Sequence, residues 1–171
     1  SITGMFRDMR RIKQVLSQEE NIKILERNTA GVLAVTGDDG YPYAVPISYV
    51  YADGQIYLHS AKTGHKIDGI MRNRKISFCV VDQDQVVPEE YTTYFRSVIL
   101  FGTAELIAEE TDKRRMLEKI AIKYEKVHNI KEREQEINGS IENVCMIKIM
   151  IEHMTGKEAI ELVRKKQFIK K

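Results

Sequence analysis

Between Gly40 and Lys75 the chain reads GYPYAVPISYVYADGQIYLHSAKTGHKIDGIMRNRK, and this stretch limits the folds open to the rest. Tyr41 to Tyr51 reads as a strand, but Pro42 and Pro46 cannot donate to a ladder. That strand must be interrupted, bulged or at an edge near both prolines. Ala52-Asp53-Gly54 is a turn, and Gln55 to Ser60 is the next strand, with Ile56 and Leu58 on one face and Tyr57 and His59 on the other. From His65 to Asn73, Ile67, Ile70 and Met71 fall at helical spacing. A strand therefore runs into a polar bend and then a helix N-terminus, where about four amides lack partners and the dipole is positive. Ser60 and Thr63 add hydroxyls there, and Lys62 and Lys66 add ammonium groups, a set suited to a phosphate monoester. A capped polar loop that binds nothing is an equal reading, because the bend is neither a P-loop nor a dinucleotide glycine pattern.

The flanking sequence points to short antiparallel strands with helices outside them. Ser17-Gln-Glu-Glu20 matches a capping box, followed by a helix with Leu16, Ile22 and Leu25 as its apolar stripe and an end near Asn28. Gly31 to Thr36 is a strand, and Gly37-Asp-Asp-Gly40 is a hairpin turn. After the central stretch come a strand from Ile76 to Val81, a polar loop from Asp82 to Tyr91, and a long strand from Tyr94 to Leu106 with Gly102 as a bulge. Thr111 caps a helix in which Met116, Leu117, Ile120, Ala121 and Tyr124 line one side. Lys126 to Gly139 is charged and helical in part, Val144 to Met154 is a last strand, and Lys157 to Lys166 is a terminal helix. This order predicts a mainly β (α+β) fold, a closed or partly closed barrel.

The 171 residues suit a single domain, with Ser1 to Gly4 read as an appended remnant and 5–16 as an N-terminal arm whose basic part, Arg7 to Arg11, is a solvated tail. Lys+Arg at 27 against Asp+Glu at 25 gives no general electrostatic case for nucleic acid. No apolar run approaches the ~18 residues of a membrane span, and no secretory signal is visible, so the expected setting is cytoplasmic. Cys79 and Cys145 sit in the apolar runs ISFCVV and NVCMIKI. They read as buried structural thiols; their spacing fits neither a metal nor a redox motif, and no metal site is expected.

Six segments occur in a set order: MFRDMRR, GVLAVTGDDGYPYAVPISYVY, IYLHSAKTGHKIDGIMRN, ISFCVV, YFRSVILFGTAEL and MTGKEAIEL. Together they resemble the nitroimidazole-resistance (Nim-type) proteins of the FMN-binding split-barrel superfamily, which also holds pyridoxamine phosphate oxidase. The resemblance implies a six-stranded antiparallel split β-barrel and a homodimer with FMN at the subunit interface. FAD is the alternative, because the bend recognises one phosphate. It places Tyr43, Ala44, Val45 and Pro46 along the isoalloxazine ring, and Ser60, Ala61 and Lys66 at the phosphate with Lys62 and His65 as supplements. Arg96, Ser97 and Val98 would approach the flavin from the partner chain. Lys157 is a further cofactor contact, with a solvated helix-start lysine as the rival reading. His59 would lie beside the flavin, where an imidazole can give a proton to a substrate being reduced; a structural histidine bonded to a backbone carbonyl is the other reading. His128 and His153 have no motif support.

Two departures stand out: Met154 precedes Thr-Gly-Lys where relatives often have Trp, and the Arg/His-rich C-terminal motif of pyridoxamine phosphate oxidase is missing. The functions implied are a flavin-dependent reductase of small planar acceptors such as nitroimidazoles, a non-catalytic flavin-binding or storage protein, or a pyridoxamine phosphate oxidase-like oxidase. A split barrel for haem is a more distant alternative. No nicotinamide fingerprint is present, so an electron donor would bind transiently or act through another protein.

Overall fold

The computed structural model describes residues 5–124 and 130–169. His128 and Ser1 to Gly4 lie outside the described residues. Ser17 caps α1 (Gln18–Arg27) as expected, its Oγ accepting the Glu20 N–H at 3.1 Å. The helix ends at Asn28, and Ile24 and Leu25 are buried beneath it. β1 (Ala30–Thr36) turns through Gly37 to Gly40, where Asp39 and Gly40 adopt φ of 56° and 79°, into β2 (Pro42–Ser48). β2 has a neighbour on one side only, so its two prolines cost no ladder bond on the free edge.

The return strand does not run through to Tyr51. It breaks at Tyr49, and β3 (Val50–Ala52) begins on the other side. Tyr49 is buried; its hydroxyl donates to the Leu25 carbonyl at 2.7 Å and its ring meets Phe78 edge-on at 5.3 Å. β3 then turns through Asp53 and Gly54 into β4 (Gln55–Ala61). The remaining elements are α2 (His65–Arg72), β5 (Lys75–Val87), β6 (Thr92–Ile107), α3 (Glu110–Tyr124), α4 (Ile130–Ser140), β7 (Val144–Glu158) and α5 (Ile160–Ile169). Among the described residues no helix is long and apolar enough to cross a membrane.

The seven strands form one antiparallel sheet in the order β2-β1-β5-β6-β7-β4-β3. The expected six strands become seven because of the break at Tyr49, and among the described residues no ladder joins β2 to β3. A flat sheet of that order would hold its edges about 29 Å apart, from roughly 4.8 Å per strand step. Ser48 and Val50 flank a single residue, so they lie within about 7 Å. The sheet therefore curls so that its two edge strands come together at Tyr49, and the seam stays open there. Leu33, Ile56, Leu58, Phe78, Leu100, Ile147 and Ile149 fill the inside, all almost fully buried. A second cluster, with Tyr57, Met116, Leu117, Ile137 and Met146, forms where α3 and α4 cover the outer face of β4 and β7.

Other expectations change too. The segment read as a loop from Asp82 is strand as far as Val87, pairing Gln83 with Arg96 through to Val87 with Thr92 before a turn at Pro88–Glu90. On the β5 side none of residues 83–87 is fully buried and Asp84, Gln85 and Val86 are exposed, so no apolar alternation marks it. β7 continues to Glu158, which places Lys157 in a strand. Thr111 lies inside the first turn of α3, one residue past its start. The arm is anchored at both ends, where Phe6 stacks on His153 at 4.8 Å and on Phe101 at 5.6 Å and Leu16 N–H bonds the Gly156 carbonyl at 2.9 Å, while its basic part is solvated as expected, with Arg7, Asp8, Arg10 and Arg11 exposed. Cys79 and Cys145 are free and half-buried rather than fully buried, and burial pushes both thiols up.

A chain of ion pairs fastens β6 to its surroundings. Arg96 donates to Glu158 at 3.0 Å and to Asp82 at 3.1 Å; Arg27 and Asn28 also donate to Asp82, each at 2.8 Å, and Lys166 bridges Glu158 and Glu20 at 2.7 and 2.8 Å. Burial raises the Asp82 carboxyl, but the hydrogen bonds from Arg27, Asn28 and Arg96 outweigh it and hold it at about 2 against an ordinary 3.8. The folded value is depressed, so this stabilisation is present above the unfolded value and is lost as pH falls from about 4 to 2. It amounts to on the order of 2 kcal/mol. Asp82→Asn should remove it at neutral pH and flatten that part of the acid-unfolding curve, read by urea denaturation at several pH values.

The register slips between Phe101 and Gly102, with Glu152 of β7 as the extra residue, so the bulge expected at Gly102 is carried by the partner strand. A Cβ at Gly102 would stand 2.1 Å from the Met150 carbonyl oxygen. Gly102→Ala must therefore part β6 from β7, at a cost of roughly 2–4 kcal/mol, visible as a lower urea midpoint.

Candidate functional site

β4 ends in the bend that the sequence marks. The Ser60 side chain is buried and its Oγ donates to the Ala61 carbonyl at 2.8 Å, while Ala61, Lys62, Thr63 and Gly64 are exposed. Gly64 adopts φ 139° and has no atom within 4 Å of where a Cβ would be, so the bend opens onto free space. It is also the N-cap of α2 and supplies no side-chain bond to the first amides of that helix. The first amides of a helix have no partner within it and can serve an outside acceptor.

The lysines complete the picture. Ser60 pairs with Cys145 across β4 and β7. Burial raises the Cys145 thiol, while Lys113, Lys62 and Lys66 all pull it down. Lys62 lies in the bend, Lys66 in the first turn of α2 and Lys113 near enough to Cys145 to act on its thiol, and among the described residues none of the three forms an ion pair. Such a group of unpaired cations beside an uncapped helix start suits a phosphate. Lys113 was not among the sequence candidates: it comes from α3, about fifty positions after the bend, in a run of charges that looks like an ordinary solvated helix face.

His65 is placed otherwise. Its ring stacks on Tyr43 at 3.9 Å, and its Nε2 accepts the Asp38 N–H at 3.3 Å. It ties α2 to the turn between β1 and β2.

Strand alternation sorts the other candidates. Tyr43 and Val45 face the core, whereas Ala44 and Pro46 are exposed on the outer face. On β6, Val98 is 0% exposed inside the core, so its side chain reaches no ligand, and Arg96 is committed to Asp82 and Glu158. Ser97 alone of the three points outward. Lys157 pairs with Ser97, and its Nζ lies 5.5 Å from the Phe95 ring. Ala44, Pro46, Ser97 and Lys157 therefore share one face of the sheet with Val32, Cys79, Ile99 and Phe101. Val32, Ile99 and Phe101 are each more than a third exposed, an apolar surface of the kind that a sheet usually covers.

His59 is exposed on the outer face of β4, and among the described residues no group hydrogen-bonds its ring. It stands at the rim of a cleft of about 220 Å³ bounded by β4, β7, α3 and α4. β2 approaches β4 across the seam, which brings the strand carrying Pro46 to the strand carrying His59.

A family model described as pyridoxamine 5′-phosphate oxidase matches residues 17–158. A candidate 5-nitroimidazole antibiotic resistance protein from Bacteroides thetaiotaomicron superposes with a TM-score of 0.70 at 26% identity, over 84% of this chain and 86% of that one. A FAD-binding protein from Mesorhizobium loti gives 0.61 at 25% identity, over 85% and 97% of the two chains. A conserved hypothetical protein from Mycobacterium tuberculosis gives 0.77 at 21% identity, over 88% and 90%, a likeness of fold alone. No curated protein matches the sequence.

Proposed function

The chain belongs to the pyridoxamine 5′-phosphate oxidase family, and from that premise we propose that it binds a flavin between two copies of itself and reduces small planar acceptors such as nitroimidazoles. The observation that carries this reading is the group of unpaired lysines, Lys62, Lys66 and Lys113, at the open bend after β4. They hold the cofactor's phosphate, with the first amides of α2 completing the cradle. FMN is the preferred cofactor and FAD the alternative, because this cradle addresses one phosphate. Ala44 and Pro46 offer a low surface for the ring, and the free edge of β2 leaves main-chain groups for its polar rim. A second copy covers the apolar face around Val32, Ile99 and Phe101 and brings Ser97 and Lys157 towards the ring. When bound, the flavin supplies the redox chemistry. His59, with its ring free of protein partners among the described residues, gives a proton from a ring nitrogen to the acceptor.

A storage protein would use the same cradle and leave His59 idle. An oxidase acting on pyridoxamine phosphate needs a second phosphate grip. At the C-terminus Lys166 is already bound to Glu20 and Glu158, which argues against it. The visible spectrum of the purified protein separates flavin from haem.

Titration with FMN, followed by quenching of flavin fluorescence, tests the cradle: Lys62→Ala, Lys66→Ala and Lys113→Ala should each weaken binding about tenfold, from the loss of one charge-assisted contact. After anaerobic reduction, a nitroimidazole should reoxidise the bound flavin, and His59→Ala should slow this about a hundredfold with FMN affinity kept. Reoxidation at an unchanged rate in His59→Ala would return the imidazole to a structural role, and no reoxidation at all would favour storage.

A further inference from the structure

The cleft beside His59 has a composition that the flavin does not require. Leu117, Ile120 and Ala121 of α3 form one wall and Val144 of β7 continues it, giving an apolar slot. At about 220 Å³ the slot is smaller than the roughly 300–1,000 Å³ of sites for drug-sized ligands. It suits a single ring. Arg133 of α4 lines it from a half-buried position and, among the described residues, has no ion pair or hydrogen bond. A guanidinium offers its N–H donors in a planar fork that matches two coplanar oxygens.

We propose that this cleft is the acceptor pocket, that it takes one planar ring bearing a carboxylate or nitro group, and that Arg133 reads that group while His59 stands at the slot's rim. The proposal deepens the reductase reading and rests on it, and it assigns a task to α3 and α4. The two helices build a slot that selects acceptors by ring count and by the presence of a flat pair of oxygens.

Equilibrium dialysis of the full-length protein against 4-nitrobenzoate and against nitrobenzene, with and without FMN, tests this directly. The carboxylate-bearing compound should bind about tenfold more tightly, and Arg133→Gln should abolish that preference. Ala121→Phe, which fills the slot, should weaken both compounds at least tenfold while FMN affinity and the circular dichroism spectrum stay unchanged. Equal binding of 4-nitrobenzoate to the wild type and to Arg133→Gln overturns the proposal, and Arg133→Gln decides the matter alone if Ala121→Phe does not fold. Binding of 4-nitrobenzoate by a protein that refuses FMN would support the slot and remove the flavin reading. Uptake of FMN with no binding of either probe would do the reverse.

Discussion

The structure depends on one short connection. Ser48 ends one edge strand and Val50 begins the other, with only Tyr49 between them. A seven-stranded sheet cannot meet that constraint while flat, so it curls around its apolar side chains. Tyr49 is fixed from three sides: its N–H bonds the Thr29 carbonyl, its hydroxyl bonds Leu25 in α1, and its ring lies against Phe78. The seam that results also brings β2 and β4 together, and with them the two strands that carry most of the site.

The curl divides the outer surface by use. Over β4 and β7, α3 and α4 cover the sheet and leave a narrow slot at His59. Over the outer face of β1, β5 and β6, among the described residues, Val32, Ile99 and Phe101 stay open to water with Phe6 pinned at one margin. The bend after β4 carries Lys62 and leads into Lys66 of α2. The buried carboxylates of Asp82 and Glu158 are matched by Arg27, Arg96 and Lys166, whereas Lys62 stands in water and Lys66 and Lys113 are half-buried. Lys62, Lys66 and Lys113 have no acid partner among the described residues, which leaves them available to an anion.

Local patterns gave reliable readings. Ser17 caps α1 through Glu20, Asp39-Gly40 and Asp53-Gly54 turn as their positive φ allows, and the prolines of β2 sit on an edge. The ordered motifs agree with the family model. Reading failed where neighbours in space decide. The segment from Gln83 to Val87 has no fully buried residue to mark it, and Lys157 continues a strand because β6 lies beside it. The motif at Arg96 to Val98 names three residues, but the pleat turns Val98 into the core and the ion pairs hold Arg96.

What the sequence determined by itself is a matter of short-range chemistry: caps, turns, strand alternation, a polar bend before a helix, and the order of segments. The tertiary structure alone decided which alternate side chains face the same surface, that Lys113 joins Lys62 and Lys66, that His65 turns to Tyr43 and Asp38, and that His59 borders a slot under two helices. The reason is physical. Capping and turn preferences act over three or four residues, whereas charge clusters and clefts form between strands whose neighbours are set by how the whole sheet closes.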